Sequence, residues 1–197
     1  MAQVTDPGDS RAVGAAARGL EHSQWRVRED STRFLPQLAP RGDSTAMEEV
    51  DARLRHGEWA VRKSAVQALG QVAKKGDARA VEMLGECLAD EDVSVRWAAV
   101  QTLPKVVERG DKEAIGMVRK KLEKGSWLVR LAAAHAIEKL GGGVEVVPSD
   151  PATYNEESES AKQIRAALAA EDAAEEELEQ EKQRALQSFW LKAEEKP

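Results

Sequence analysis

The chain has 197 residues, of which 42% are hydrophobic and 32% charged, and its formal net charge is −6. It contains no run of 18 apolar residues, so we expect no membrane span. The single cysteine, Cys87, excludes an internal disulfide. A single cysteine, together with an N-terminus that lacks a secretory signal, favours an intracellular, cytoplasmic location.

A 34-residue period dominates the chain. Val-Arg pairs begin at Val27, Val61, Val95 and Val129, and Gly-Asp pairs begin at Gly8, Gly42, Gly76 and Gly110. Self-similarity at a fixed step of this size is typical of stacked repeat arrays. The sequence therefore predicts an all-α fold, a right-handed α-solenoid of helical hairpins.

The first helix of each hairpin, helix A, is predicted from the residues that follow Val-Arg. Apolar residues recur at positions 0, 4, 5, 8 and 11 from the valine, which places them on one helical face. The predicted ranges are 25–39, 59–73, 93–107 and 127–140. Pro36 and Pro104 share one column inside this helix, and proline removes a backbone donor there, so we expect a bend at that column.

The second helix, helix B, is predicted to start at the Gly-Asp pair. Glycine suits the turn after a helix, and aspartate is a strong N-cap. The predicted ranges are 9–20, 43–55, 77–89 and 111–123. Each hairpin has too little apolar surface to be stable alone, so neighbours must share one core.

Four segments follow from these patterns. Residues 1–21 form an N-terminal half-repeat with helix B only, either a cap or the edge of a longer solenoid. Residues 22–143 form the array, with rows that start near 22, 56, 90 and 124. Residues 144–157 form a linker, and residues 158–197 an acidic C-terminal helix. Residues 141–197 carry 14 acidic and 6 basic side chains, a net charge of −8.

The C-terminal helix leaves two alternatives open besides plain disorder. It either covers the end of the array, which terminal repeats must otherwise protect, or serves as a tethered partner-binding helix. In the second case Phe189 and Trp190 would be its anchors.

Several columns together resemble HEAT repeats, in the short form shared with phycobilisome-lyase-type repeat proteins. The resemblance lies in x-x-Val-Arg-x-x-Ala-(Val/Ala)-x-x-Leu followed by Gly-Asp, and it covers about 8–143. It implies an armadillo-type α-solenoid. Tetratricopeptide and ankyrin arrays have nearly the same period, but their signature residues are absent.

Because fold alone does not supply function, the functional prediction rests on the surface. We expect a non-catalytic scaffold or adaptor that binds another protein through the outward face of its second helices. The alternative is a bilin lyase-like subunit, or a segment or subunit of a larger assembly. No nucleophilic triad, phosphate loop or metal-ligand spacing is present, so we expect no catalytic site, cofactor or metal.

The candidate partner-binding residues are charged residues of helix B together with the two aromatic anchors. They are Arg79, Glu82, Glu86, Lys112, Glu113, Arg119, Lys120, Lys121, Lys124, Phe189 and Trp190. The basic cluster in this set suits an acidic partner, although a solvated face explains it as well. Alternating charges on the outward faces disfavour nucleic acid, which requires a basic stripe.

Two repeated columns have structural explanations. In HEAT-like arrays the matching arginine bridges the turns of adjacent repeats to acidic groups, and Asp43, Asp77 and Asp111 are candidates here; the alternative is an anion ladder. The tryptophan column, with Trp97, is interpreted as wedge packing between neighbours rather than a base-stacking platform.

Overall fold

A computed structural model describes residues 8–143, except the side chains of Leu122 and Lys124. This part of the chain contains helices and turns but no strand. The helices are α1 (Ser10–Arg18), α2 (Trp25–Leu38), α3 (Ser44–Leu54), α4 (Trp59–Val72), α5 (Ala78–Cys87), α6 (Val93–Val106), α7 (Lys112–Lys124) and α8 (Trp127–Lys139), with a 3₁₀ turn at Gly19–Glu21. The predicted residues 144–157 and 158–197, including Phe189 and Trp190, lie outside the described residues.

The helices form two stacked rows. The even-numbered helices are the predicted helices A, and α2 packs on α4, α4 on α6, and α6 on α8. The odd-numbered helices are the predicted helices B, and α1 packs on α3 and α5 on α7. The fold is therefore an α-solenoid of helical hairpins, and its right-handedness stays a prediction.

The helix boundaries agree closely with the repeat pattern. Each helix A starts at the predicted residue and ends one residue early. Helix α1 stops at Arg18 and continues as the 3₁₀ turn, whereas α5 stops at Cys87, two residues before the predicted end. Helices α2 and α6 continue for two residues beyond Pro36 and Pro104, and the predicted bend at this column remains untested.

The Gly-Asp pair has the predicted role at every turn. Gly8, Gly42, Gly76 and Gly110 have φ angles of 89°, 80°, 79° and 84°, a region that favours glycine. The following aspartate side chain accepts a hydrogen bond from a backbone amide in the first turn of each helix B.

The same glycine also joins neighbouring repeats. Its amide donates to the carbonyl at the end of the next helix A, and all four N–O distances are 2.7 Å, from Gly8 to Leu38, Gly42 to Val72, Gly76 to Val106 and Gly110 to Leu140. Four equal hydrogen bonds show that the register between repeats is constant.

A single apolar core runs along the stack. The residue eight positions after the valine of each Val-Arg pair is fully buried in all four repeats, as Leu35, Leu69, Leu103 and Ile137. Among the described side chains, the apolar residues that recur in helix B are buried or half-buried, for example Val13, Met47, Val81 and Ile115. Neighbouring hairpins thus share one interior, as the small apolar surface of each hairpin requires.

The first helix A has an open face. Phe34 is 55% exposed, although Ala68, Thr102 and Ala136, its counterparts in the later repeats, are buried. Within residues 8–143 no helix A precedes α2, which accounts for the exposure of Phe34. Within residues 8–143, no helix has both the length and the apolar character needed to cross a bilayer.

Candidate functional site

The arginine column bridges adjacent turns at Arg62. Its guanidinium donates two hydrogen bonds of 2.8 Å to the carboxylate of Asp90, and it lies 3.2 Å from a carboxylate oxygen of Glu91. It also donates to the carbonyls of His56 and Gly57. The hydrogen bond to Asp90, reinforced by its charge, raises the pKa of Arg62.

The predicted acidic partners were wrong. Asp43, Asp77 and Asp111 cap helices instead, because each carboxylate accepts from amides at the start of its own helix. Arg28 and Arg96 make the equivalent carbonyl contacts in their own turns. The position of Asp90 is occupied by His56 for Arg28 and by Lys124 for Arg96, so neither arginine has an acid there.

The tryptophan prediction was wrong for two members of the column. Trp25 is 49% exposed and Trp59 is 46% exposed, so neither is a buried wedge. Trp97, which lies in a different column, does pack between repeats, since its ring meets the edge of His135 at a centroid distance of 5.6 Å.

A depression on the helix B surface lies between α5 and α7, and we call it the α5–α7 groove. It encloses about 710 Å³. Its floor is apolar and comprises Val81, Gly85, Ala89, Met117 and Val129. A Cβ atom added to Gly85 would meet no atom within 4 Å, so the space above this glycine is open.

Opposite charges line the two sides of the α5–α7 groove. Glu82 and Glu86 stand on α5, one helical turn apart, and Lys120 and Lys121 stand on α7. Gly125 and Ser126 close one end. In the described part of the chain, none of these four charged groups forms a salt bridge. The groove therefore has an apolar floor between an acidic and a basic side.

The groove gathers four of the eleven residues that the sequence singled out. Glu82, Glu86, Lys120 and Lys121 line it, whereas Arg79 and Arg119 make contacts elsewhere. Arg79 lies 3.4 Å from Asp51 on the preceding helix B, and Arg119 donates to the Gly143 carbonyl at 3.2 Å.

Lys112 and Glu113 do not line the groove, whereas Phe189 and Trp190 lie outside the described residues. Lys112 and Glu113 are exposed in the first turn of α7. Lys124 is the last residue of α7, and its side chain is outside the described set.

Sequence reasoning missed the floor of the groove. Gly85 and Ala89 carry no charge and match no motif, so nothing drew attention to them. The available signal was a difference between repeats. Asp51 holds the position of Gly85 in the second row, and Glu21 holds that of Ala89 in the first row. Small residues stand at both positions in the third row.

The lone cysteine lies beside this region but is a poor nucleophile. Cys87 is 6% exposed, and burial, with the charge of Asp90 as a smaller cause, raises the pKa of its thiol to about 12. Because the thiolate is the reactive form, Cys87 is a structural residue at neutral pH. Residues 8–143 also contain no cluster of three or more His, Cys, Asp or Glu side chains that could hold a metal ion.

Comparison with known protein families places the chain. A family model described as HEAT repeats matches residues 18–104 and again residues 84–174, which together span more than half of the chain. No curated protein matches the chain.

Proposed function

Because the chain belongs to the HEAT-repeat family, we propose that it is a non-catalytic scaffold or adaptor that binds another protein through the outward face of its second helices. HEAT repeats generally mediate protein interactions. The α5–α7 groove is the observation that carries the proposal, since it is a large, partly apolar depression on that face.

The groove has the composition of a protein-binding surface. Interface cores are depleted in charge and surrounded by a polar rim, and here apolar side chains lie between two charged sides. Val81 is 3% exposed, and Met117 packs against the core cluster. A bound segment would therefore rest on a floor that the fold already holds in place, which lowers the ordering cost of binding.

The preceding helix B junction offers no comparable surface. Between α3 and α5 the cleft encloses only about 100 Å³, and the salt bridge from Arg79 to Asp51 crosses this junction. Of these two junctions, the one between α5 and α7 therefore has more room for a partner.

A comparative capture experiment tests the proposal. Proteins that bind the full chain are compared with those that bind Gly85→Leu, which places a bulky side chain in the open space of the groove. The control is Gly116→Leu on α7, where an added Cβ also meets nothing within 4 Å and which does not line the groove.

We expect a specific set of proteins that the Gly116→Leu variant retains and the Gly85→Leu variant loses. Thermal unfolding of both variants checks that the array is intact. If Gly85→Leu retains every protein that the unmodified chain captures, the groove is not the binding site.

A further inference from the structure

Two different ion pairs join the helices B at the first two junctions, and neither recurs at the groove. At the first helix B junction, Arg53 of α3 reaches back to Glu21 with an N–O distance of 2.9 Å. The arginine side chain is only 8% exposed, and it also bonds to Glu49 at 2.7 Å. At the second junction Arg79 reaches back to Asp51. In each case a basic residue on the later helix meets an acidic residue on the earlier repeat.

At the third junction both acidic positions hold small residues. Lys121 stands 68 residues after Arg53, and Ala89 stands 68 residues after Glu21, two repeat periods in each case. Gly85 likewise stands one period after Asp51. Ala89 and Gly85 both line the groove. The missing carboxylates therefore leave the open space and also leave Lys121 without its acceptor.

Lys121 is suited to an external carboxylate. It is half-buried at the groove, and it has no salt bridge within residues 8–143. The neighbouring Lys120 adds a second positive charge on the same side. A hydrogen-bonded carboxylate stabilises a partly desolvated ammonium group more strongly than it stabilises a fully exposed ammonium group.

The α5 side of the groove is acidic and therefore favours positive charge on the ligand. Glu82 and Glu86 are exposed and one helical turn apart, so they present two carboxylates along α5. Within residues 8–143, no salt bridge joins Glu82 or Glu86 to the two lysines on the other side of the groove. A ligand that carries acid on one flank and base on the other satisfies both.

The backbone of the groove favours a helical ligand. The amides and carbonyls of α5 and α7 are bonded within their own helices, so the groove offers few partners to an extended strand. A helix satisfies its backbone internally and presents only side chains, as in other helix-in-groove complexes. Its apolar stripe would rest on the floor formed by Val81, Gly85 and Met117.

We propose that the α5–α7 groove binds an amphipathic helix of another protein, with an acidic flank along Lys120 and Lys121 and a basic flank along Glu82 and Glu86. The acidic flank supplies the carboxylate that Glu21 supplies to Arg53 within the array. This inference rests on the proposed function and specifies the chemistry of the partner.

Two designed peptides test the inference on the full chain. Both are 18-residue stapled helices with a leucine stripe and equal numbers of Glu and Lys. In the segregated peptide, Glu occupies one flank and Lys the other, whereas in the mixed peptide both residues alternate on each flank. We expect the segregated peptide to bind at least about tenfold more tightly, a difference of about 1.4 kcal/mol.

A matched pair of protein variants separates charge from bulk. Ala89→Glu returns a carboxylate to the position of Glu21, whereas Ala89→Gln adds a side chain of the same size without charge. We expect Ala89→Glu to weaken the segregated peptide at least about fivefold relative to Ala89→Gln, because Lys121 then has an internal partner.

The outcomes of the two tests are distinct. Equal binding of the two peptides, equal effects of the two variants, or no binding of either peptide at millimolar concentration overturns the inferred chemistry. The proposed function is judged separately by the capture experiment, since proteins lost with Gly85→Leu would still identify the groove as a binding site.

Discussion

Replacement of Arg62 by alanine should destabilise the array far more than the same change at Arg28. Arg62 is buried and holds Asp90 through two hydrogen bonds of 2.8 Å, and it also bonds to two carbonyls of the preceding turn. Removal of one partner of such a pair leaves an uncompensated buried charge, which costs about 3–5 kcal/mol. The second acidic partner, Glu91, is 84% exposed, so water still solvates its charge when the arginine is removed. We therefore expect the lower end of this range, about 3 kcal/mol.

The control is Arg28→Ala, which removes the arginine of the same column in a repeat where no acid stands opposite it. Among the described residues, Arg28 bonds to the carbonyls of its own turn, at 2.7 and 2.9 Å, and to no acid. We expect Arg28→Ala to cost about 1 kcal/mol, the usual net value of hydrogen bonds of this kind. Urea unfolding of both variants provides the free energies, and the midpoint of thermal unfolding should fall by roughly 6–12 °C for Arg62→Ala.

A double-mutant cycle isolates the pair. Arg62→Ala, Asp90→Ala and the double variant should show a coupling free energy of at least about 1.5 kcal/mol. Equal losses of stability for Arg62→Ala and Arg28→Ala, or additive effects in the cycle, would refute the view that this ion pair joins the two turns.

The remaining predictions concern substitutions at single positions. Gly85→Ala should raise the free energy of unfolding by up to about 1 kcal/mol, because alanine is the better helix former and meets no atom there. Gly70→Ala should lower it, since the added Cβ would lie 2.6 Å from a methyl group of the next repeat; urea unfolding measures both. Phe34→Asp should change stability by less than about 1 kcal/mol at its exposed position, whereas Ala68→Asp in the same column should prevent folding, as circular dichroism would reveal. The raised pKa of Cys87 means that between about pH 9 and 12 the unfolded chain binds fewer protons than the folded one. Stability should therefore fall as pH rises through that window, and Cys87→Ala should weaken this fall.

The repeat columns made most of the fold predictable. The Gly-Asp pair combines a residue suited to positive φ with a strong N-cap, so it marks each turn by local chemistry alone. The apolar columns follow from helical geometry, since a residue that faces the neighbour in one repeat must face it in the next. Phe34 departs from its column for a reason that the pattern cannot express, namely that no earlier helix A within the described chain covers it.

The candidate site was less accessible to sequence reasoning. Charged residues drew attention to both sides of the groove, but the groove itself results from small residues at two positions. Recognition of Ala89 as a lost acceptor required knowledge of which basic residue Glu21 meets. The partner of Arg62 was missed for a similar reason. Asp90 lies 28 residues further on and outside the repeated columns, so spacing alone did not connect the two.

Site-specific photo-crosslinking tests the central claim most directly. A photoreactive residue is placed at Ser126, an exposed residue that lines the groove, or at Gln67 on helix A as the control, and the full chain is irradiated in the cells that express it. We predict a discrete crosslinked protein from position 126 that is absent from position 67. Crosslinks from position 67 alone, or the same products from both positions, would contradict the assignment of the groove as the binding site.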